Sequence, residues 1–412
     1  MVQVYSETDT LRQVIIHQPD YGIEQVTPDI AEELLYDDIV YLPKMVKEHK
    51  VFTNNLRTFL GDEGVLEFND LLEHVIAIDG VKDQLLFNIE KLENAKPEVM
   101  RILEGLNHID LADTLISGMH PVTEETLMHP IPNLVFTRDI GVAIHDHFLI
   151  CKANKKARFR ENILAKAVFN HHPIFEPTAH TGKVIDFVEW ENFDPKNDIS
   201  IEGGDVMMLQ KGHLFVGLSE RTSHKAIDRL REILFSKNVI DTLTIVKIPA
   251  KRYCMHLDTI FTMVDKNVCI GFEPLVFKPN FDVVVEQYVR NGTTRRFESL
   301  KTCLQHLIPD IQTIACGGGI FPFAEREQWT DGSNLVALKA GVVYGYERNE
   351  YTAEALEKAG FEVWAASGLT KEFRDDEAAM EKMERTFITI PSAELSRARG
   401  GPHCMTMPVS RI

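Results

Sequence analysis

The sequence predicts a mixed α/β chain built from one strand–strand–helix–strand unit used five times, with one all-helical stretch inserted between the first and second units. Two observations predict it. Four segments repeat one plan: an acid or amide, an apolar strand, a tight turn, a second strand, then a helical pattern. Residues 68–125 leave that plan and carry apolar residues at a period near 3.6 throughout.

The first unit is the least regular: LRQVIIHQP supplies a strand, PKMVKEHKVFTNNLRTFL a helix and VLEF another strand. Asp139 opens the second, with IGVAI, the turn HDH and FLICKA, leading to Arg158 and the helix RFRENILAKAVF. Asp205 opens the third, with VMML, the turn QKGH and LFVGLS, leading to Arg221 and SHKAIDRLREILF, where Ile227, Leu230 and Leu234 share one face. Asp258 opens the fourth, with TIFTMV, the turn DKN and VCIGFEP, followed by a helical pattern around FDVVVEQYV. Asn334 opens the fifth, with LVALK, the turn AG and VVYGYE, leading to Arg348 and the helix TAEALEKAG. After the helices, the apolar runs HPIFEP, VIDTLTIVKI, IQTIAC and FEVWAA provide a closing strand for each unit. Five like units closing in a ring leave few exposed sheet edges. An ordinary mixed sheet whose hairpins merely look alike is the alternative. The domain plan is a discontinuous α/β body, 1–67 and 126–412, with the helical insertion 68–125 packed against it, since no low-complexity linker separates the parts.

With 412 residues, 44% hydrophobic and 26% charged, the chain can bury a large core and is not globally disordered. A formal net charge of -18 argues against nucleic acid or an anionic membrane as main partner; it suits a cationic substrate only weakly, since most acidic proteins are acidic for solubility. The start MVQVYSETDTLRQVIIHQPD has no basic segment followed by an apolar one, so no secretory signal is expected. No apolar run approaches the roughly 20 residues of a membrane span. Cys151, Cys254, Cys269, Cys303, Cys316 and Cys404 form no C-x-x-C pair and are scattered. They argue against a disulfide framework or a cysteine-rich zinc site, and for a reducing, cytoplasmic setting.

Polar residues gather at the ends of the units' first strands: NLVFTRD (133–139), IEGGD (201–205), MHLD (255–258) and RARGGPHCMTMP (397–408). In a closed ring these ends converge, which makes them a candidate pocket. A cysteine is the strongest ordinary nucleophile once ionised, and a histidine shuttles protons near neutral pH. Several carboxylates together match the parallel N–H pairs of a guanidinium. Each residue also has a plainer reading. Cys404 could be a buried small hydrophobe, His256 a satisfied core histidine, Gly203 and Gly204 a turn, Asp139 half of an ion pair with Arg138, and Arg158 and Arg221 solvated helix-start residues. The constellation, rather than any member, carries the signal.

Taken together, YSETDTLRQVIIHQP, ELLYDDIVYLPKMVKEH, NLVFTRD, EGGD, HLD, REQWTDGSN, VVYGYERN and RGGPHCMTMP resemble the arginine deiminases of the guanidino-group-modifying (amidinotransferase) superfamily, along nearly the whole chain. The resemblance implies a five-unit ββαβ pseudo-symmetric, pentein-like propeller with a helical insertion. It implies Cys404 as nucleophile, His256 as general acid and base, and Glu202 as the carboxylate that binds a guanidinium nitrogen and orients His256. Asp139 and Asp258 match the pair that grips the guanidinium. Asn133, Arg158 and Arg221 match positions holding the substrate's α-carboxylate. Arg399 matches an arginine beside the nucleophile, Phe136 a residue of the side-chain channel, and Leu35 the closing loop. His403 varies within the family and receives no role. No metal or organic cofactor is implied, and a homo-oligomer is an expectation of the family alone.

The reaction so implied hydrolyses L-arginine to L-citrulline and ammonia through a covalent amidino-cysteine. An amidinotransferase, which passes that group to an amine, uses the same residues and is the first alternative. A deiminase of agmatine or peptidyl-arginine would not need two arginines for a free carboxylate. A non-catalytic arginine-binding protein would not need Cys404 and His256. Arg158 and Arg221 each lie 19 residues past a guanidinium-end acid, Asp139 and Glu202 respectively. The expected polarity is therefore carboxylates deep in the pocket and arginines near its mouth.

Overall fold

The computed structural model describes residues 2–194, 196–372 and 379–412, of which 370–372 and 379–380 are described in backbone only. β1 (Leu11–Ile16) and β2 (Val65–Glu67) pair in parallel across the helix Leu42–Leu60. β3 (Gly141–Ile144) and β4 (His147–Ile150) form a hairpin, and β5 (Val184–Asp186) joins β4 in parallel after the helix Phe159–His171. β6 (Val206–Gln210), β7 (His213–Leu218) and β8 (Thr242–Lys247) repeat that order around the helix His224–Ser236. β9 (Phe261–Asp265) and β10 (Val268–Gly271) form the next hairpin. The chain then lays a second hairpin, β11 (Val284–Val289) and β12 (Thr294–Phe297), onto β8 of the neighbouring sheet. After the helix Leu300–Leu307, β13 (Gln312–Ala315) returns to β10 in parallel. β14 (Val336–Lys339) and β15 (Val342–Tyr346) precede the helix Glu350–Lys358, and β16 (Glu362–Ala365) and β17 (Thr386–Ile390) follow it. Finally β18 (Met407–Arg411) pairs antiparallel with β1. Five sheets result among the described residues.

The sequence explains most of this directly. β3, β4, β10 and β15 are buried at every position, so they read as unbroken apolar runs rather than alternating ones. The turns before β7 and β15 place Gly212 and Gly341 at φ of +81° and +77°, where a side chain would be strained.

Four expectations change within the sheets. The FDVVVEQYV segment is β11, not a helix: consecutive valines lose χ1 freedom in a helix but fit a pleated strand, and β8 offers its backbone. HPIFEP is a turn leading into the short helix Glu176–His180. Its two prolines remove ladder donors, and the strand beside β4 is instead β5. FEVWAA is β16, but β17 takes the place beside β15 and β16 lies at the outer edge. The first unit's missing strand is β18, from the opposite end of the chain.

Residues 68–117 form the helices Phe68–Ile76, Val81–Glu93, Pro97–Gly105 and His108–Ser117, whereas 118–125 are not helical. The first two pack on the helix Phe159–His171. Leu72, Ile89 and Leu115 share one apolar core with Phe148 of β4 and with Phe169 and Leu230 of the helices that cover the sheets. Among the described residues no helix is long and apolar enough to cross a membrane.

The buried His17 fastens β1 to β2 by hydrogen bonds to Asp20 (2.7 Å) and Glu67 (2.9 Å). Burial works against its charge, but the two carboxylates prevail and raise its pKa to about 10. The associated stability, on the order of a few kcal/mol, is present in full below the unfolded value near 6.5 and is lost as pH rises through 10. Urea midpoints measured from pH 6.5 to 10 should therefore fall more steeply for wild type than for His17→Gln.

Candidate active site

Three short turns, Thr137–Ile140, Gly203–Asp205 and Leu257–Thr259, lead into β3, β6 and β9 and pack against one another. Their convergence depends on glycine. A Cβ on Gly203 would lie 1.9 Å from the Arg138 carbonyl, and one on Gly204 2.7 Å from His256 Nδ1. The stretch before β18 brings Cys404 to the same place, where its N–H donates to Asn334 Oδ1 at 3.1 Å and its carbonyl accepts from Arg138 N at 3.1 Å.

The thiol of Cys404 donates to Asp258 Oδ2 at 3.5 Å, while Asp258 Oδ1 is buried without a hydrogen-bond partner. Burial, reinforced by Asp258, Asp139 and Asp331, holds the thiol far above its usual range, so it is protonated at rest. His256 Nε2 bonds Glu202 Oε2 at 2.9 Å, and its Nδ1 lies 3.7 Å from Asp139 Oδ1, which accepts from Gly204 N. Burial opposes charge on this imidazole too, but Asp139, Glu202 and Asp205 raise it to about 9. Glu202 is held well below the carboxylate range: burial pushes it up, but Arg221, His256 and Arg158 outweigh burial. Asp258 is also lowered; burial is outweighed by the bond from His403 Nδ1 at 2.8 Å.

The arginines do not sit apart from the acids. Arg158 bonds Asp139 Oδ2 (2.5 Å), Glu161 Oε2 (2.9 Å) and the Asn133 carbonyl (3.2 Å), and lies 3.5 Å from Glu202 Oε2. Arg221 lies 3.6 Å from Glu202, and its Nε makes no hydrogen bond, with Glu220 3.9 Å away. Both side chains are buried, so the expected polarity of deep acids and outer arginines is replaced by ion pairing within one cluster. The reason is electrostatic: closely packed buried carboxylates require a counter-charge. The Asn133 side chain donates to the Leu34 carbonyl at 2.7 Å. Leu35, Phe136, Arg252, Met255 and Arg399 line the remaining cavity, about 20 Å³, room for roughly one water molecule. Asp139, Glu202 and His256 are close enough to ligate a cation, but Arg158 already bonds two of them. A larger groove, about 840 Å³ and lined mainly by residues from 17–25 and 113–124, contains none of these groups.

The model of the family described as arginine deiminase matches residues 106–411. The chain belongs to the arginine deiminase family. Arginine deiminases of Latilactobacillus sakei and Clostridium perfringens strain SM101 are each 32% identical to it, with 100% of this chain and 98% of theirs covered. Among solved structures, SxtG, an amidinotransferase from Microseira wollei, shares the fold with a TM-score of 0.55 at 14% identity, over 100% of this chain and 97% of that one. The N-terminal domain of ArgZ, covalently bound to a reaction intermediate, does so at 0.54 and 15%, over 97% of this chain and 98% of its own.

In this member of the arginine deiminase family, the sequence reading passed over several residues that shape the site. His403 bridges Asp258 and Glu7 (3.3 Å to the latter), and Glu7 is held by both terminal nitrogens of Arg138. His403 adjoins Cys404 in the motif, which was its one available signal. Asn334 occupies in the fifth unit the place of Asp139, Asp205 and Asp258, and it positions both Cys404 N and the Asp258 carbonyl. Asp205 supports rather than faces the site, accepting from Leu257 N and Ser219, and burial pushes it up to about 6. Arg399, which the sequence did single out, lines the cavity and stacks on Trp329 at 3.5 Å, with Nε and one terminal nitrogen making no hydrogen bond.

Proposed function

We propose that this chain hydrolyses free L-arginine to L-citrulline and ammonia, with Cys404 as nucleophile and no metal or cofactor. The observation that carries the reading is Asp258, which touches the thiol with one oxygen and keeps the other buried and unpartnered. A substrate guanidinium is the group that satisfies such an oxygen while neutralising the charges that keep Cys404 protonated. Asp139, Asp258 and Glu202 fix the plane of the guanidinium, and the thiol ionises as that cation arrives. The thiolate attacks the guanidinium carbon to form a C–S bond. His256, charged below pH 9, protonates the departing nitrogen, and ammonia leaves. An amidino-cysteine remains. Water gives a proton to His256, attacks the same carbon and expels the thiolate with citrulline. Arg158 and Arg221, displaced from the acids by the incoming guanidinium, turn to the α-carboxylate, with Asn133 adding a hydrogen bond. Phe136, Leu35 and Arg399 bound the channel.

The same reading treats the five sheets as ββαβ units of a pseudo-symmetric, pentein-like ring. Its support is the shared hairpin-plus-parallel-strand order and the convergence of three equivalent turns. It takes 1–67 and 126–412 as the catalytic domain and 68–125 as its insertion. A cytoplasmic setting accords with six free, buried cysteines.

The test is an assay of citrulline and ammonia with arginine, with agmatine, and with arginine plus glycine. Equal amounts of citrulline and ammonia from arginine, no amidino transfer to glycine, and a kcat/KM for agmatine at least about tenfold lower are expected, each tenfold being about 1.4 kcal/mol. Transfer to glycine would make the chain an amidinotransferase.

A further inference from the structure

We propose that Asp37 and Asp38, gripped by Arg252 and Arg397, form a two-part electrostatic latch that holds residues 34–41 over the pocket and sets how often it opens. The cavity of about 20 Å³ is too small for an amino acid, so a substrate enters only when something lining it moves. Leu35 lines that cavity at φ +66°, a conformation unfavourable for a residue with a Cβ, and therefore one that its surroundings impose. What imposes it is specific. Arg252 donates to the Leu35 carbonyl at 2.6 Å and to both oxygens of Asp37 at 2.9 and 3.2 Å. One residue further along the loop, Arg397 meets Asp38 with two parallel bonds of 2.8 and 2.9 Å, the fork geometry that arginine makes best.

The anchors make the latch more than a surface ion pair. Arg252 lies four residues before His256, and Arg397 seven before Cys404. One loop is thus tied to the segments that carry both groups. Arg397 also bonds Glu394, whose other contact is Tyr41 N at 2.8 Å, at the far end of the same loop. Behind it, Glu48 accepts from the amides of Ala393, Glu394 and Leu395 at 2.8 to 3.0 Å, fixing the Arg397 anchor to the helix that follows the loop. The charges of the latch itself are a third to a half exposed, so solvent ions reach them and weaken them. Substrate entry and product departure then share one electrostatic barrier. That kinetic consequence rests on the deiminase reading; the latch itself does not.

The experiment uses the full chain, with Asp37→Asn, Asp38→Asn and the double variant, each isosteric and each checked for fold by circular dichroism. The rate at which iodoacetamide alkylates Cys404 without arginine, followed by peptide mass spectrometry across pH, reports opening. Each single variant should alkylate about threefold faster or more, and the double variant faster still. Sodium chloride at about 1 M should bring wild type toward the double variant while leaving the double variant unchanged. The pH midpoint of alkylation should not move. Variants that alkylate at the wild-type rate, salt that accelerates all forms alike, or a rate gain explained by a shifted midpoint would each overturn the latch. A chain with these alkylation changes but no citrulline would keep the latch and lose the deiminase reading.

Discussion

Cys404→Ser should reduce arginine turnover by about 10⁴-fold or more while leaving the fold intact, because loss of a nucleophile removes a chemical step rather than a contact. The hydroxyl can still donate to Asp258 Oδ2 and fills nearly the same volume. It has no base able to ionise it, however, since the neighbouring carboxylates already push even the more acidic thiol upward. Acid-quenched wild type incubated with arginine should carry an adduct on the peptide containing Cys404, and the variant none. The five other cysteines provide the control. Cys151, Cys254, Cys269, Cys303 and Cys316 are buried, with pKa values raised chiefly by that burial. An adduct on any of them, with activity retained in Cys404→Ser, would move the chemistry elsewhere.

Arg158→Lys should lower kcat/KM for arginine by about 10²-fold, and more for arginine than for agmatine. In the closed site one guanidinium serves Asp139, Glu161, Glu202 and the Asn133 carbonyl at once. An ammonium cannot reproduce that fork, and breaking a buried ion pair costs about 3–5 kcal/mol. Part of this cost appears as stability, because Glu161 is already raised to about 7 by burial even with Arg158 beside it. The part that belongs to substrate recognition is read from the comparison: agmatine has no carboxylate for Arg158 to meet. If both substrates lose kcat/KM equally, Arg158 serves only to balance the acids.

Local pattern was enough for the hairpins, because each pairs neighbours in sequence and its turn residues are legible. Pattern was not enough where a distant partner decided the outcome. FDVVVEQYV became a strand because β8, some forty residues earlier, offered an edge. The unit structure also explains why Asp139, His256, Asp258 and Cys404 were visible as a set: they stand at repeated positions. Glu7, Arg252 and Asp37 do not, and their parts depend on side chains that meet across the pocket rather than along the chain. For the arginines the limit was a different one. Spacing put Arg158 and Arg221 in one pocket, and both line the cavity beside Cys404, but it could not show that the acids would claim them in the closed pocket.

The pairing of β18 with β1 bears on how such a chain is made. Ribosomes extend a chain at about 5–20 residues per second, so β1 emerges roughly 20–80 s before the strand that covers its flank. During that interval its apolar residues Val14, Ile15 and Ile16, buried in the finished protein, lack their partner, which is the condition that invites edge-to-edge association and chaperone capture. The segment that ends the exposure also brings in Cys404, three residues before β18 begins. Maturation of the sheet and arrival of the thiol are therefore one event, and until then the growing polypeptide holds the carboxylates and His256 without Cys404.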